Sequence, residues 1–187
     1  MKYLSIDTEL GGLDFDCSLL SVALVVYDDK GVEVDNLNLF LKPDDGIFRV
    51  RANAMSINKM DIIELEAKGL TYKEGATAIY KFLSKHSANG SDRLKVIGKQ
   101  VRGDLEHVWN KTLSRKSWEV FCSYRNIDIT ALAESLIVVG KIPANNKGSL
   151  ESLAEFFGIK NEGAHDALND ARLHFKVWFE GMLPLVK

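Results

Sequence analysis

A long, valine-rich apolar run, Leu19–Tyr27, is the sequence feature that most constrains the fold. The turn sequence Asp28-Asp29-Lys30-Gly31 follows it directly, and Val32–Leu41 is predicted to be the next strand. This order predicts a buried strand that pairs with its successor as a β-hairpin. The apolar positions of the second strand change parity midway along it, which indicates a β-bulge near Asp35-Asn36.

Further short apolar runs predict three more strands, at Tyr3–Asp7, Leu94–Gly98 and Val120–Cys122. Segments with helical spacing of apolar residues predict helices at Asp61–Ala67, Tyr72–His86, Leu105–Leu113, Ile129–Leu136, Leu150–Phe157 and about Ala167–Glu180. Residues 48–59 are expected to hold a short helix within a loop, and residues 87–91 to form a loop. Strands joined by hairpins, followed by strands that alternate with helices, predict a mixed sheet covered by helices.

The length of 187 residues predicts one domain, 1–187, with a sizeable core. Hydrophobic residues make up 46% of the chain and charged residues 27%, as in an ordinary globular protein. The formal net charge of -2 provides no global positive field for a polyanion. Any contact with nucleic acid is therefore expected to be local, through metal ions and a few placed cations.

The cysteine content and the chain's first residues bear on its location. Cys17 and Cys122 are the only cysteines and form no Cys-x-x-Cys pair, which argues against a disulfide scaffold or a zinc site. The start of the chain is too short and too soon acidic for a signal peptide, and no apolar run reaches the length of a membrane span. We expect a cytoplasmic protein with no membrane contact.

Four carboxylates and one histidine occur in a pattern that predicts a metal site. Asp7 and Glu9 are two apart on a predicted strand, so their side chains share one face. Asp104 follows a predicted strand where a helix begins, and His165 lies in the loop before the last helix, which carries Asp170. Carboxylates that converge repel one another and need cations to hold them together. Such a set predicts a two-metal site for phosphodiester hydrolysis.

Each of these residues also has a simpler structural interpretation. Asp7 and Glu9 fit a strand end that faces solvent, and Asp104 fits a helix N-cap or a first-turn acid favoured by the helix dipole. His165 fits a solvated histidine at a helix start. The adjacent Asp166 is expected to be the helix cap, without a catalytic role.

Taken together, the motifs resemble the DEDD superfamily of 3'-5' exonucleases, in its histidine-containing branch. This group includes the proofreading exonuclease of bacterial DNA polymerase III, ribonuclease T and oligoribonuclease. The similar stretches are Asp7-Thr8-Glu9-Leu10-Gly11-Gly12-Leu13, Ile97-Gly98-Lys99-Gln100-Val101-Arg102-Gly103-Asp104 and His165-Asp166-Ala167-Leu168-Asn169-Asp170-Ala171. The resemblance implies a ribonuclease H-like α/β fold, with a mixed five-stranded sheet whose first three strands are antiparallel and whose others are parallel.

The resemblance also implies a mechanism. Asp7, Glu9, Asp104 and Asp170 would hold two Mg²⁺ or Mn²⁺ ions, hard cations that prefer oxygen ligands, with Asp7 bridging both ions. Bound there, the ions would activate a water molecule and stabilise the departing 3'-oxygen. Carboxylates are poor bases for water, so His165, whose reference pKa is near neutrality, is the expected general base.

The implied substrate is a single-stranded 3' end, cut to 5'-mononucleotides, because a duplex end does not expose its last base. The implied substrate contacts are Thr8, Gly12, Leu13 and Gln100. Leu13 fits either a wedge against the terminal base or an ordinary core residue. Five cations are candidate phosphate contacts or, alternatively, solvated surface charges: Arg49, Arg51, Lys59, Lys99 and Arg102.

The chain departs from the family at two places in its second motif. Family members usually have His-Asn where this chain has Lys99-Gln100, and an aromatic residue where it has Gly103. These departures bear on the local packing and on the pocket for the 3' end. A binding module that grips 3' ends without cutting is the alternative function, and an accessory protein whose acids are surface features is a further one. RNA and DNA remain open as substrates, as does a homodimer joined through the apolar tail 182–186.

Overall fold

The computed structural model describes residues 1–87, 92–161, 163 and 166–186. In this part of the chain a six-stranded sheet has the strand order β4-β3-β2-β1-β5-β6. The strands are β1 (Tyr3–Leu10), β2 (Leu19–Tyr27), β3 (Glu33–Lys42), β4 (Leu70–Thr71), β5 (Lys95–Gly98) and β6 (Ile127–Asp128). Strands β1, β2 and β3 pair antiparallel, whereas β5 and β6 continue the sheet in parallel and β4 pairs parallel to β3. The predicted fold class is confirmed, with one strand more than the five expected.

The differences from prediction lie at the edges of the sheet. The predicted strand Val120–Cys122 is wrong, because a helix continues to Phe121 and only Cys122 forms an isolated bridge, with Leu94. Burial of Trp118 and Phe121, three residues apart, favours the helix there. The two edge strands β4 and β6 have two residues each, too few for a sequence period. The β-bulge in β3 falls at Val34, one residue before the predicted site.

Eight α-helices flank the sheet in the described part of the chain. They are α1 (Ala52–Asn58), α2 (Ile62–Lys68), α3 (Tyr72–His86), α4 (Val101–Lys111), α5 (Arg115–Phe121), α6 (Ile129–Val138), α7 (Leu150–Phe156) and α8 (Ala167–Lys176). A capping box of Thr71 and Glu74 begins α3, and Ser149 caps α7 as its sequence predicts. The last helix was expected to remain regular to Glu180, but it continues from Val177 as a π-helical turn.

The sheet separates two hydrophobic clusters, and β2 is buried along its whole length between them. Helices α3, α4 and α5 pack on one face, whereas α6, α7 and α8 pack on the other. Alternate residues of β1 serve the two clusters: Leu4 and Ile6 belong to the first, and Tyr3 packs against the second. Further along β1, alternate side chains therefore face α4 on one side of the sheet and α8 on the other.

No helix in the described residues combines the length and the apolar character that a membrane crossing requires. The apolar tail also packs within the chain, since Met182 is buried in the second cluster and Leu183 and Leu185 pack against it. Of the predicted loop 87–91, only Ser87 lies within the described residues.

Candidate active site

Three carboxylates converge where β1 passes beside the start of α8. Asp7 and Glu9 share the α8 face of β1, and Asp170 lies in the first turn of α8. Ligand oxygens of the three side chains all lie within 4.8 Å of one another. Asp166 begins α8 as its N-cap, accepting a hydrogen bond from the Leu168 amide, as predicted. The alternation of β1 and the cap of α8 thus place acids from two distant segments in one cluster.

Asp104 approaches the cluster from the opposite face of β1. It lies in the first turn of α4, and the Thr8 hydroxyl donates a hydrogen bond of 2.6 Å to its Oδ1. Its oxygens are outside the group of ligand atoms formed by Asp7, Glu9 and Asp170. The charge of Asp104 nevertheless raises the pKa of Asp7 more than the charge of any other acid does. Thr8, expected to contact substrate, here fixes the orientation of Asp104.

Asp104 does not cap α4, because the N-cap residue is Gln100. Gln100 has a φ of 51°, in the left-handed region that few residues other than glycine, asparagine and aspartate adopt readily. Its amide donates a hydrogen bond of 3.2 Å to Asp128 Oδ1, and Asp128 in turn caps α6. This hydrogen bond links the strained turn between β5 and α4 to the start of α6.

Three of the site carboxylates, Asp7, Glu9 and Asp104, have raised pKa values in the metal-free chain. Burial, and then the charges of Asp104, Asp170 and Glu9, raise the pKa of Asp7 well above its usual range. Burial and the neighbouring acids raise the pKa of Glu9 to about 7. Burial also raises the pKa of Asp104 to about 7, against the hydrogen bond from Thr8 that lowers it. A divalent cation would reverse this balance, and an all-carboxylate donor set fits hard cations such as Mg²⁺ and Mn²⁺.

A buried histidine that the sequence motifs do not include lies against this cluster. His174 is four residues after Asp170 on α8, and its Nε2 lies 3.9 Å from Asp7 Oδ1. Its Nδ1 is 3.1 Å from the Ile6 carbonyl oxygen, which can only accept, so we assign the ring proton to Nδ1. Burial lowers the pKa of His174 to about 4, which keeps the ring neutral near pH 7. The spacing of four from Asp170 was the only sequence signal for it.

A second buried contact also joins β1 to α8. The Ser5 hydroxyl donates a hydrogen bond of 2.6 Å to the Ala171 carbonyl oxygen, and Ser5 is fully buried. With the contact between His174 and Ile6, it fixes the strand against the helix at the two residues just before Asp7. We call these two contacts the β1–α8 clasp. They set how far the carboxylates of β1 lie from Asp170.

Two grooves adjoin the carboxylates. The first, of about 520 Å³, is lined by Thr8, Glu9, Gly12 and Leu13 together with Arg51 and residues of α1. Leu13 is 92% exposed at its rim, which excludes the alternative that this residue belongs to the core. An added Cβ at Gly12 would come within 2.7 Å of Arg51 Cγ and Cys17 Sγ, so the groove wall has no room for a side chain there.

The second groove, of about 490 Å³, also begins at Glu9. Ser21, Asn38 and Phe40 line it from the sheet, and Lys59 and Asp166 line it from the surrounding segments. The Oδ1 of Asn38 is buried without a hydrogen-bond partner among the described residues. Glu9 and Asn58 line both grooves.

The five candidate phosphate contacts differ in their surroundings. Arg49 pairs with Asp45, Arg51 with Asp14 and Arg102 with Glu106, at 3.0, 2.9 and 2.6 Å. Lys59 lines the second groove, and Lys99 is half-buried near the site, where its charge lowers the pKa of His174. Three of the five cations are thus partly neutralised by acids of the same chain.

The predicted general base, His165, lies outside the described residues, as does Ala164 before it. Gly103, which stands where the family has an aromatic residue, faces open space: an added Cβ would meet nothing within 4 Å. An aromatic side chain would therefore fit without a clash at the Cβ position.

The ribonuclease H-like fold with acids on its central strand defines the class of structure to which this chain is similar. The solved structures to which it is similar include crystal structures of E. coli Exonuclease I. The complex with a dT13 oligonucleotide aligns at a TM-score of 0.80 and 19% identity, over 99% of this chain and 42% of that one. A zinc-bound complex with single-stranded DNA aligns at 0.79 and 19%, over 100% and 41%. Another Exonuclease I structure aligns at 0.78 and 18%, over 99% and 42%.

These comparisons establish the fold, and the ribonuclease H-like architecture is confirmed. The chain spans about two fifths of the length of the Exonuclease I chains that it matches. No protein-family model matches the sequence, and no curated protein matches it.

Proposed function

We propose that this protein is a metal-dependent 3'-5' exonuclease that shortens single-stranded nucleic acids. The observation that carries the proposal is the cluster of Asp7, Glu9 and Asp170, whose ligand atoms lie within 4.8 Å of one another beside two open grooves. Burying such mutually repelling acids destabilises a protein unless a ligand compensates. The raised pKa values of Asp7 and Glu9 are the electrostatic sign of a site built to receive cations.

Each residue of the site then has a role. Asp7, Glu9, Asp104 and Asp170 would hold two Mg²⁺ or Mn²⁺ ions, which would supply an activated water and charge stabilisation at the phosphate. Thr8 orients Asp104 through its 2.6 Å hydrogen bond. His165 takes the proton of the attacking water.

Other residues bind the terminal nucleotide. Leu13 presents an exposed apolar side chain at the rim of the first groove, where it can wedge against the terminal base. Gly12 lets Arg51 and Cys17 pack closely at the wall of that groove, and Thr8 lines it. Gln100, exposed at the start of α4, is available to contact the substrate.

The substrate that we propose is a 3' end without a complementary strand. Exonuclease I has been crystallised with the single-stranded oligonucleotides dT13 and dA16, which makes DNA the first substrate to test. The fold of this chain, shared with that protein, supports the same polymer class. RNA is the second arm of the test.

The decisive experiment uses oligonucleotides of DNA and RNA labelled at the 5' end, with Mg²⁺ and with Mn²⁺. We expect a ladder that shortens from the 3' end, release of 5'-mononucleotides, and complete loss of activity in EDTA. Asp7→Asn is the inactive control. Products that carry a 3'-phosphate, or activity that persists in EDTA, would rule out the proposed chemistry.

A module that binds 3' ends without cutting them is the alternative function. It predicts binding of a labelled oligonucleotide, no shortening with either metal, and no change in binding for His165→Ala. We place the exonuclease activity in the cytoplasm, a compartment that suits the free, buried Cys17 and Cys122.

A homodimer stays a prediction to be tested by light scattering. Met182, Leu183 and Leu185 of the tail pack on the chain's own core, whereas Pro184 and Val186 are exposed.

A further inference from the structure

Outside the site, arginines and a tryptophan form a stacked group on α4 and α5. The guanidinium carbons of Arg102 and Arg115 each lie 5.1 Å from the ring centroid of Trp109. The Nε of Arg102 donates to Glu106 and the Nε of Arg115 donates to Glu119. Within the described residues, the terminal amino groups of both arginines have no protein acceptor. Each guanidinium is thus held in place by a ring and a carboxylate, with its outer donors free.

Two more cations extend this group. Arg93 and Lys116 line one open depression together with Arg115, Glu119 and Val120. Four cations therefore share a surface with the carboxylates of Glu106 and Glu119, which leaves a local positive excess on a chain of net charge -2. We call Arg93, Arg102, Trp109, Arg115 and Lys116 the basic strip.

The basic strip leads away from the carboxylate cluster. Arg102 and Asp104 both lie near the start of α4, on different sides of the helix, so the strip begins near the helix end that carries Asp104. Arg93 precedes β5, whose opposite end, Gly98, points toward the site. Five residues of extended chain span about 16 Å, which is the length of roughly five stacked nucleotides.

We propose that the basic strip binds the sugar–phosphate backbone of the single strand upstream of its 3' end. Free guanidinium edges suit phosphate oxygens, and a positively charged surface that follows the backbone is typical of proteins that bind single strands. The direction of the bound strand, with its 3' end at the carboxylates, rests on the proposed function. Binding of a single strand by the strip does not. The strip selects polymers over dinucleotides, because a fragment shorter than about five nucleotides reaches only the catalytic end.

The test measures binding without cleavage, in EDTA, with fluorescent oligothymidylates of about 3 and about 16 nucleotides and matching oligouridylates. The variant is Arg115→Gln with Lys116→Gln. The matched control is Lys141→Gln with Lys147→Gln, which removes two exposed charges from the connection between α6 and α7 on the other face of the sheet.

For the longer oligonucleotide, we expect the strip variant to bind at least about tenfold more weakly at low salt. The slope of log affinity against log salt should fall by about 1.4, which corresponds to two lost phosphate contacts on a single strand. Binding of the short oligonucleotide, and all binding by the control variant, should be unchanged. Because Arg115 also stacks on Trp109, the pair Arg93→Gln and Lys116→Gln repeats the test without disturbing the stack.

Equal loss of affinity in the control variant would overturn the proposal, since the effect would then be one of net charge. Equal loss for short and long oligonucleotides, or no loss in either strip variant, would overturn it as well. The proposed exonuclease activity can fail separately: a protein that binds long strands through the strip but never shortens them keeps this inference and loses the enzymatic one.

Discussion

At the scale of single residues, Asp7 has the most constrained environment of the site carboxylates. The charges of four other acids act on its side chain, and the neutral ring of His174 lies behind it. No side-chain cation of the described residues lies within ion-pairing distance of it apart from that histidine, which burial keeps uncharged. Burial and these acids raise its pKa, so substitutions that neutralise a neighbouring acid test the electrostatics of the site.

We expect Asp104→Asn to have opposite effects on catalysis and on the metal-free fold. The amide keeps an oxygen that can accept the Thr8 hydrogen bond, and it relieves repulsion with Asp7. The metal-free variant should melt no lower than the metal-free wild type, whereas turnover should fall by several orders of magnitude. Mn²⁺ should raise the wild-type melting temperature by mass action and raise that of the variant less.

The control for this experiment is Asp166→Asn, which removes a nearby charge but keeps a good helix cap and leaves the proposed ligands intact. It should retain the full response to Mn²⁺. Strong destabilisation of metal-free Asp104→Asn would show that Asp104 acts chiefly in supporting α4.

His165→Ala should lower turnover by roughly 10²–10⁴-fold, the usual contribution of a general base. Metal affinity measured by calorimetry should stay nearly unchanged, because His165 is assigned as the base and not as a ligand. The wild-type rate should rise with pH through the pKa of a histidine, and this limb should disappear in the variant. A large loss of metal affinity would instead identify His165 as a ligand.

The raised pKa of Glu9 predicts a dependence of stability on pH. Its pKa is about 7 in the folded chain against an ordinary value of 4.5, so it favours folding below pH 4.5 and this contribution is lost as pH rises through about 7. The glutamine of Glu9→Gln cannot ionise, so this variant does not lose that stability as pH rises. The melting temperature of metal-free Glu9→Gln relative to wild type should therefore increase from about pH 4.5 to pH 7 and then level off.

His174 has a folded pKa of about 4, below its ordinary value of 6.5, so it lowers stability as pH falls below 6.5. This opposite trend is present in both the wild type and Glu9→Gln. It cancels in the difference between them. A melting difference that stays flat or shrinks over this range would contradict the burial of Glu9 among acids.

At the scale of elements, the β1–α8 clasp decides how the strand and the helix present their carboxylates. Ser5→Ala removes a buried hydrogen bond worth about 1 kcal/mol and loosens the strand against α8. We expect about fivefold weaker Mn²⁺ binding by calorimetry, along with a lower melting temperature. Ser135→Ala is the matched control, because its hydroxyl donates to the Ala131 carbonyl of its own helix, on an exposed surface away from the site.

The control should lower stability slightly and leave Mn²⁺ affinity unchanged. If Ser5→Ala loses stability but binds Mn²⁺ as the wild type does, the clasp supports the fold without setting the geometry of the site.

At the scale of the whole molecule, the site joins segments that are far apart in sequence. The hydrogen bond between Thr8 and Asp104 spans 96 positions, and that between Ser5 and Ala171 spans 166. Cations that bind these acids should therefore stiffen β1, the start of α4 and the start of α8 together. Hydrogen exchange with and without Mn²⁺ should show added protection in those three segments and little change in α3.

Protection confined to one of the three segments would show that the acids do not act as one site. Asp170→Asn, measured in the same way, should remove most of the added protection, since it deletes the proposed ligand on α8.

Local patterns in the sequence were sufficient for much of this structure. The apolar run of β2 predicts a buried strand, the alternation along β1 places Asp7 and Glu9 on one face, and Asp166 and Ser149 predict helix starts. These features depend on neighbours within a few positions, where backbone period and capping chemistry act directly.

Only the tertiary structure decided the contacts that complete the site. It set the Thr8 hydroxyl on Asp104, placed His174 behind Asp7 and left Leu13 exposed at a groove. It also replaced the predicted strand at Val120 with a helix. These outcomes follow from how the sheet and the helices pack, and packing brings together residues whose separation along the chain leaves no periodic signal in the sequence.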